Sequence, residues 1–197
     1  MCINLNETPS NPHIEKLCEA LRNVKECYFS HCLGDNKWEV CNERSFAYEL
    51  YRQWANLLYT NDKTAPDLVL NAEITKKTQK FEQCSNNNPY EEHLYYPDLV
   101  LHKSQWDSEE QELICEIKLS SNSNGILQDL NKLTLYTITE ENDGFLFHPF
   151  KCAAFILVNG NFEIIKNAMS ESSKLNKNIY CIIYNRGNVE YKKLGEL

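Results

Sequence analysis

The chain has 197 residues, 42% apolar and 24% charged, and its 20 basic and 28 acidic side chains leave a net charge of −8. This is ordinary globular usage, in a length that suits one domain with a real core. The acidity excludes broad, nonspecific attraction to nucleic acid over the whole surface, though not a local basic groove.

Residues 1–10 read as a loose terminus. From Asn11 to about residue 29 the pattern is helical: Ile14, Leu17, Cys18, Leu21 and Val24 recur at helical spacing, with Asn11 as cap and Pro12 in the first turn. A second helix over 42–60 is capped by Asn42. Its apolar face runs from Glu43 through Phe46, Ala47, Leu50, Trp54 and Leu57, while Glu49 and Arg52 project to the opposite side. Strands are expected at about 67–75, 95–102 and 112–119, the first two separated by a polar loop. A helix over 126–138, a buried strand over 152–158, a helix over 162–175 and a strand over 179–184 follow. Asn185-Arg186-Gly187-Asn188 reads as a tight turn into a last short strand.

This order predicts a single α/β domain over 1–197 with a mixed central sheet flanked by helices. It divides into N-terminal helices (11–62), a sheet core (66–160) and a C-terminal helix with strands (161–197). The first three strands can pair as an antiparallel meander, whereas the later ones need helical crossovers.

No apolar run reaches the roughly 18 residues of a membrane span, and residues 1–16 lack the layout of a secretory leader. Of nine cysteines, Cys115, Cys152 and Cys181 sit in apolar strand-like stretches, as buried free thiols do. Cys27, His31, Cys32 and Cys41 cluster without a common zinc spacing. A soluble cytoplasmic protein with reduced thiols is expected, with no membrane association.

The chemistry gathers around Pro97-Asp98 and Glu116-Ile117-Lys118. Alternation along a strand puts Glu116 and Lys118 on one side and Cys115, Ile117 and Leu119 on the other. A hairpin would set Asp98 beside Glu116, and two carboxylates in one small space call for a cation between them. A surface Glu-Lys pair and a proline turn are the plain alternatives. Glu43 heads the core-facing stripe of its helix. It either favours the helix dipole or reaches the strand ends where Asp98 and Glu116 meet.

With these residues in this order, the chain resembles the PD-(D/E)xK nuclease superfamily, from about residue 42 to residue 160. Pro97-Asp98 matches its first motif, Glu116-Ile117-Lys118 its second, and Glu43 the helical acid of many members. More narrowly it looks like uncharacterised bacterial members, with "PDLVLH", "EIK" and "DLNKL" matching their strand, strand and helix motifs. The resemblance implies a restriction-endonuclease-like αβββαβ core over 66–160 with its preceding helix. It implies a Mg2+-dependent phosphodiesterase, with Mn2+ as a substitute, acting on nucleic acid, DNA ahead of RNA. Asp98 and Glu116 would hold the metal, Lys118 would position the attacking water, and Glu43 would assist directly or through water. The alternative is a catalytically silent member that binds protein or nucleic acid. Symmetric cutting of two strands would call for a homodimer.

Four further residues are candidates. Asp129 and Lys132 either support the site from the following helix or form an exposed ion pair one turn apart. His102 shares strand parity with Asp98 and either stands behind the metal ligands or is simply half-exposed. Glu73 lies on the first strand, after the earlier copy of Pro-Asp-Leu-Val-Leu, where the narrower family also carries an acid. Lys76, Lys77 and Lys80 offer a basic edge there, and Tyr90, Tyr95, Tyr96 and Trp106 are aromatic candidates for base stacking.

Overall fold

The computed structural model describes residues 11–33, 38–59, 67–72, 97–103, 111–119, 122–137, 149–170 and 174–197. Helix α1 (Pro12–Asn23) starts where Asn11 Oδ1 accepts the His13 N–H at 2.9 Å, with Pro12 in the first turn. It stops short of the expected residue 29, because Val24 and Lys25 are extended and a 3-10 turn (Glu26–Tyr28) takes over. Strands β1 (Ser30–Leu33) and β2 (Trp38–Cys41) then form a two-stranded antiparallel hairpin that the helical reading did not anticipate. Asn42 Oδ1 accepts the Ser45 N–H at 3.0 Å and opens α2 (Glu43–Tyr59).

The main sheet has six strands: β3 (Val69–Ala72), β4 (Leu99–His102), β5 (Gln111–Lys118), β6 (Cys152–Val158), β7 (Tyr180–Asn185) and β8 (Asn188–Lys193). They lie side by side in chain order. β3, β4 and β5 form the antiparallel meander, β5 to β7 run parallel, and β8 turns back antiparallel. The parallel pairs are bridged by α3 (Ser123–Thr137) and α4 (Phe162–Met169). The chain is therefore a mixed α/β structure with helices on both faces of the sheet. β3 starts two residues later than the sequence suggests, Pro97 and Asp98 precede β4 instead of lying within it, and positions 73–75 and 95–96 lie outside the described residues. The tight turn is as expected: Arg186 and Gly187 both take positive φ, 48° and 85°, between paired Asn185 and Asn188.

Alternation along the strands sorts two apolar layers. Leu113, Cys115 and Ile117 of β5 face α1 and α2, whereas Val100 of β4 and Ile114 of β5 face α3 and α4. On the first side, Phe29, Phe46 and Tyr184 meet edge-on, with centroids 5.1, 6.1 and 5.2 Å apart. Such pairs add about 0.5–1.5 kcal/mol each beyond burial. They clamp the first turn of α2 to the sheet, and so fix where Glu43 starts. The Tyr184 hydroxyl also donates to the Val24 carbonyl at 2.8 Å, across 160 residues of sequence.

Candidate active site

The C-terminal end of β5 lies between α2 on one face and α3 on the other, and three elements deliver carboxylates to it. Leu99 pairs with Cys115, so Asp98, one residue earlier, stands opposite Glu116. Asp98 Oδ2 accepts the Ile117 N–H at 2.6 Å. From the first turn of α2, Glu43 Oε2 accepts the Leu119 N–H at 3.2 Å, just past the strand. Glu116 shares the parity of Ile114 and faces α3, at 3% exposure. A surface Glu-Lys pair is excluded because helices cover both faces of β5.

From α3, Asp129 is buried and lies between two ammonium groups. Lys118 Nζ is 3.0 Å from its Oδ2 and Lys132 Nζ is 2.8 Å from its Oδ1. Lys132 Nζ also stands 3.7 Å from Glu116 Oε2. Asp129 and Lys132 thus join the cluster and are not an exposed helix pair. Gly125, in the first turn of α3, leaves room for the Lys118 stem: a Cβ there would lie 3.1 Å from Lys118 Cε. Nothing in the residue spacing flags Gly125; its use appears only once α3 lies against β5.

Charge balance gives the cluster its character. Four carboxylates, Glu43, Asp98, Glu116 and Asp129, meet two ammoniums, Lys118 and Lys132. Burial, reinforced by Glu43 and Asp129, lifts Asp98 to about 6 against the pull of the Ile117 N–H. Burial, with Asp98 beside it, raises Glu116 well above the usual carboxylate range. Burial alone would lower both lysines; Asp129 outweighs it at Lys118, and Glu116 with Asp129 at Lys132, so both lie above the usual value. Among the described residues, Glu116 Oε1 has no hydrogen-bond donor. A buried acceptor without a donor, in a cluster with excess negative charge, fits a small divalent cation. Among the described residues no three acid, imidazole or thiol groups form a ready ligand cage. Magnesium does not need one: one or two carboxylates suffice, with waters and phosphate oxygens completing the shell.

His102 is elsewhere. It sits at the far end of β4, buried, its Nε2 2.6 Å from Asn71 Oδ1 on β3, and burial lowers its pKa. It is neither half-exposed nor beside the acids. Glu73, Lys76, Lys77, Lys80, Tyr90, Tyr95, Tyr96 and Trp106 lie outside the described residues. The opposite side of α2 is not solvent at Glu49: this residue is 6% exposed, under the 3-10 turn. It accepts from Arg52 Nε at 2.8 Å, Arg52 Nη2 at 2.7 Å and Gln53 Nε2 at 2.8 Å.

No described helix is long and apolar enough to cross a membrane. The chain matches no protein-family profile, no curated protein and no solved structure.

Proposed function

We propose that the chain is a metal-dependent nuclease of the PD-(D/E)xK type, on a restriction-endonuclease-like core, hydrolysing phosphodiester bonds of nucleic acid, DNA ahead of RNA. The observation that carries this reading is the meeting of Glu43, Asp98, Glu116 and Lys118 at one strand end, with Glu116 Oε1 buried and lacking a donor. Asp98 and Glu116 are the residues that would hold Mg2+ or Mn2+. Such an ion polarises a phosphate and makes bound water more acidic. Lys118 orients the attacking water and offsets charge building on the phosphate. Asp129 holds Lys118 and Lys132 in place, and Glu43 fixes the end of β5 through the Leu119 N–H.

A second reading, a catalytically silent binding module on the same fold, draws on two facts: Asp129 engages Lys118, and the net charge is −8. One assay separates the two. Supercoiled, linear and single-stranded DNA, and RNA, are incubated with the protein and Mg2+ or Mn2+, beside EDTA and Lys118→Ala controls. Cleavage that needs both the metal and Lys118 is expected. Cleavage of none of the substrates selects the binding module, and cleavage that survives Lys118→Ala rejects this active site.

A further inference from the structure

The outer surface of α2 carries arginines and an exposed aromatic ring on a chain whose net charge is −8. The helix's only two acids, Glu43 and Glu49, are both turned inward, the first to Leu119 and the second to Arg52 and Gln53. The exposed positions Arg44, Tyr48, Arg52 and Asn56 recur every four residues, forming one stripe without a carboxylate. Arg44 and Arg52 are about 12 Å apart along the axis at the helical rise.

Two exposed aromatic rings accompany the two arginines. Tyr48 is 52% exposed within the stripe, and Tyr28, on the neighbouring 3-10 turn, is 49% exposed. The Arg52 guanidinium lies 5.7 Å from the Tyr28 ring centroid, and the two hydrogen bonds it donates to Glu49 fix its plane. Lys25 is exposed beside this group, close enough to act on Glu49. The nearby acid Glu26 is bridged by Arg186 at 3.2 Å.

Half-exposed rings alternating with arginines suit a strand that offers both phosphates and free base faces. A base-paired duplex offers the first but not the second. We propose that the α2 stripe with Tyr28 is a track for an unpaired nucleic-acid strand. Tyr48 and Tyr28 stack on its bases, and Arg44 and Arg52 take its phosphates. The same rigid helix carries Glu43 at its first residue, so the track leads to the acidic cluster. The inference deepens the nuclease reading and rests on it for that direction of travel.

The test is fluorescence anisotropy on the full chain in EDTA, where no strand is cut. The probes are labelled oligo-dT, labelled oligo-rU and a duplex of equal length. Tyr48→Ala and Arg44→Ala alter exposed side chains; Lys166→Ala, exposed on α4, is the control. Tyr48→Ala is expected to weaken single-strand binding at least about fivefold while leaving the duplex and the melting temperature unchanged. Arg44→Ala is expected to reduce the salt slope by about one. Loss on one single strand only would identify DNA or RNA as the ligand. Wild-type affinity for single strands in both variants, equal losses on duplex and single strand, or no binding by the wild type would overturn the track. Failure of the parent reading looks different: a protein that binds strands through Tyr48 but cuts none keeps the track and loses the nuclease. One that cuts with both variants unimpaired in binding keeps the nuclease and loses the track.

Discussion

Glu49 and Glu116 are buried to nearly the same degree, 6% and 3% exposed, yet their surroundings are opposite. Glu49 receives three donors from Arg52 and Gln53, and the Arg52 bonds hold its pKa below the usual value. Glu116 has an oxygen without a donor and one ammonium at 3.7 Å, and burial raises it. Burial alone therefore says nothing about function. A closed set of partners marks Glu49 as structural, whereas the deficit at Glu116 is what the proposed metal site rests on.

The harshest way to break this contrast is to neutralise each carboxylate. Glu116→Gln should cut metal-dependent cleavage by at least about 100-fold, the scale on which a preorganised charge acts. Glu49→Gln should leave the rate within a few-fold of wild type. In melting experiments without metal the order reverses. Glu49→Gln should lower the midpoint by about 2–4 °C, as for loss of roughly 1 kcal/mol in a chain of this size. Glu116→Gln, which removes an under-compensated buried charge, should hold or raise it.

Adding Mn2+ sharpens the comparison. A ligand that binds only the folded state stabilises it by about 2.7 kcal/mol at a hundred times its Kd. The wild type and Glu49→Gln should both gain in midpoint, Glu116→Gln should not, and EDTA should reverse the gain. A midpoint rise in Glu116→Gln equal to that of the wild type would place the cation elsewhere.

The pH dependence has opposite signs at the two places. Asp98 is raised in the fold to about 6, against roughly 3.9 unfolded. Its contribution is fully present below about pH 3.9 and is lost as pH rises through about 6. Glu49 is lowered, so its contribution is present above the unfolded value and lost as pH falls through the folded one. Urea titrations of metal-free protein across this range should show Asp98→Asn gaining on the wild type as pH rises. Glu49→Gln should lose ground at lower pH, as pH rises from the lowered folded value to the ordinary carboxylate value, and hold a constant deficit above it.

The smallest effect belongs to Gly125→Ala. A methyl 3.1 Å from Lys118 Cε moves that flexible stem by a few tenths of an ångström. Cleavage should fall only a few-fold. The melting midpoint should rise slightly, since alanine is favoured over glycine within a helix.

Which parts were legible in the sequence follows from what periodicity can report. Asp98, Glu116 and Lys118 could be placed because strand parity and one hairpin decide their side. Glu43 could be placed because its angle on the helix matched the apolar stripe. A helical angle says nothing about what covers the other side, so Glu49 was placed away from the core stripe without the 3-10 turn that buries it. The β1–β2 hairpin was missed because Cys27 to Cys41 lacks a clear strand alternation. For Asp129 and Lys132, the ion-pair spacing is the same on a free helix and on one packed over Glu116. For His102, parity gave the correct face but not the distance along the strand.

The bond from Tyr184 to the Val24 carbonyl joins the first helix to a strand made 160 residues later. During synthesis α1 leaves the ribosome with Ile14, Leu17 and Leu21 uncovered; α2 follows soon and covers part of them, but the strands β7 and β8 that complete the packing do not yet exist. Closing so large a loop comes late and slows folding. Until β7 emerges the apolar stripe of α1 is sticky, and a nascent chain stalled before that strand is a natural client for a chaperone.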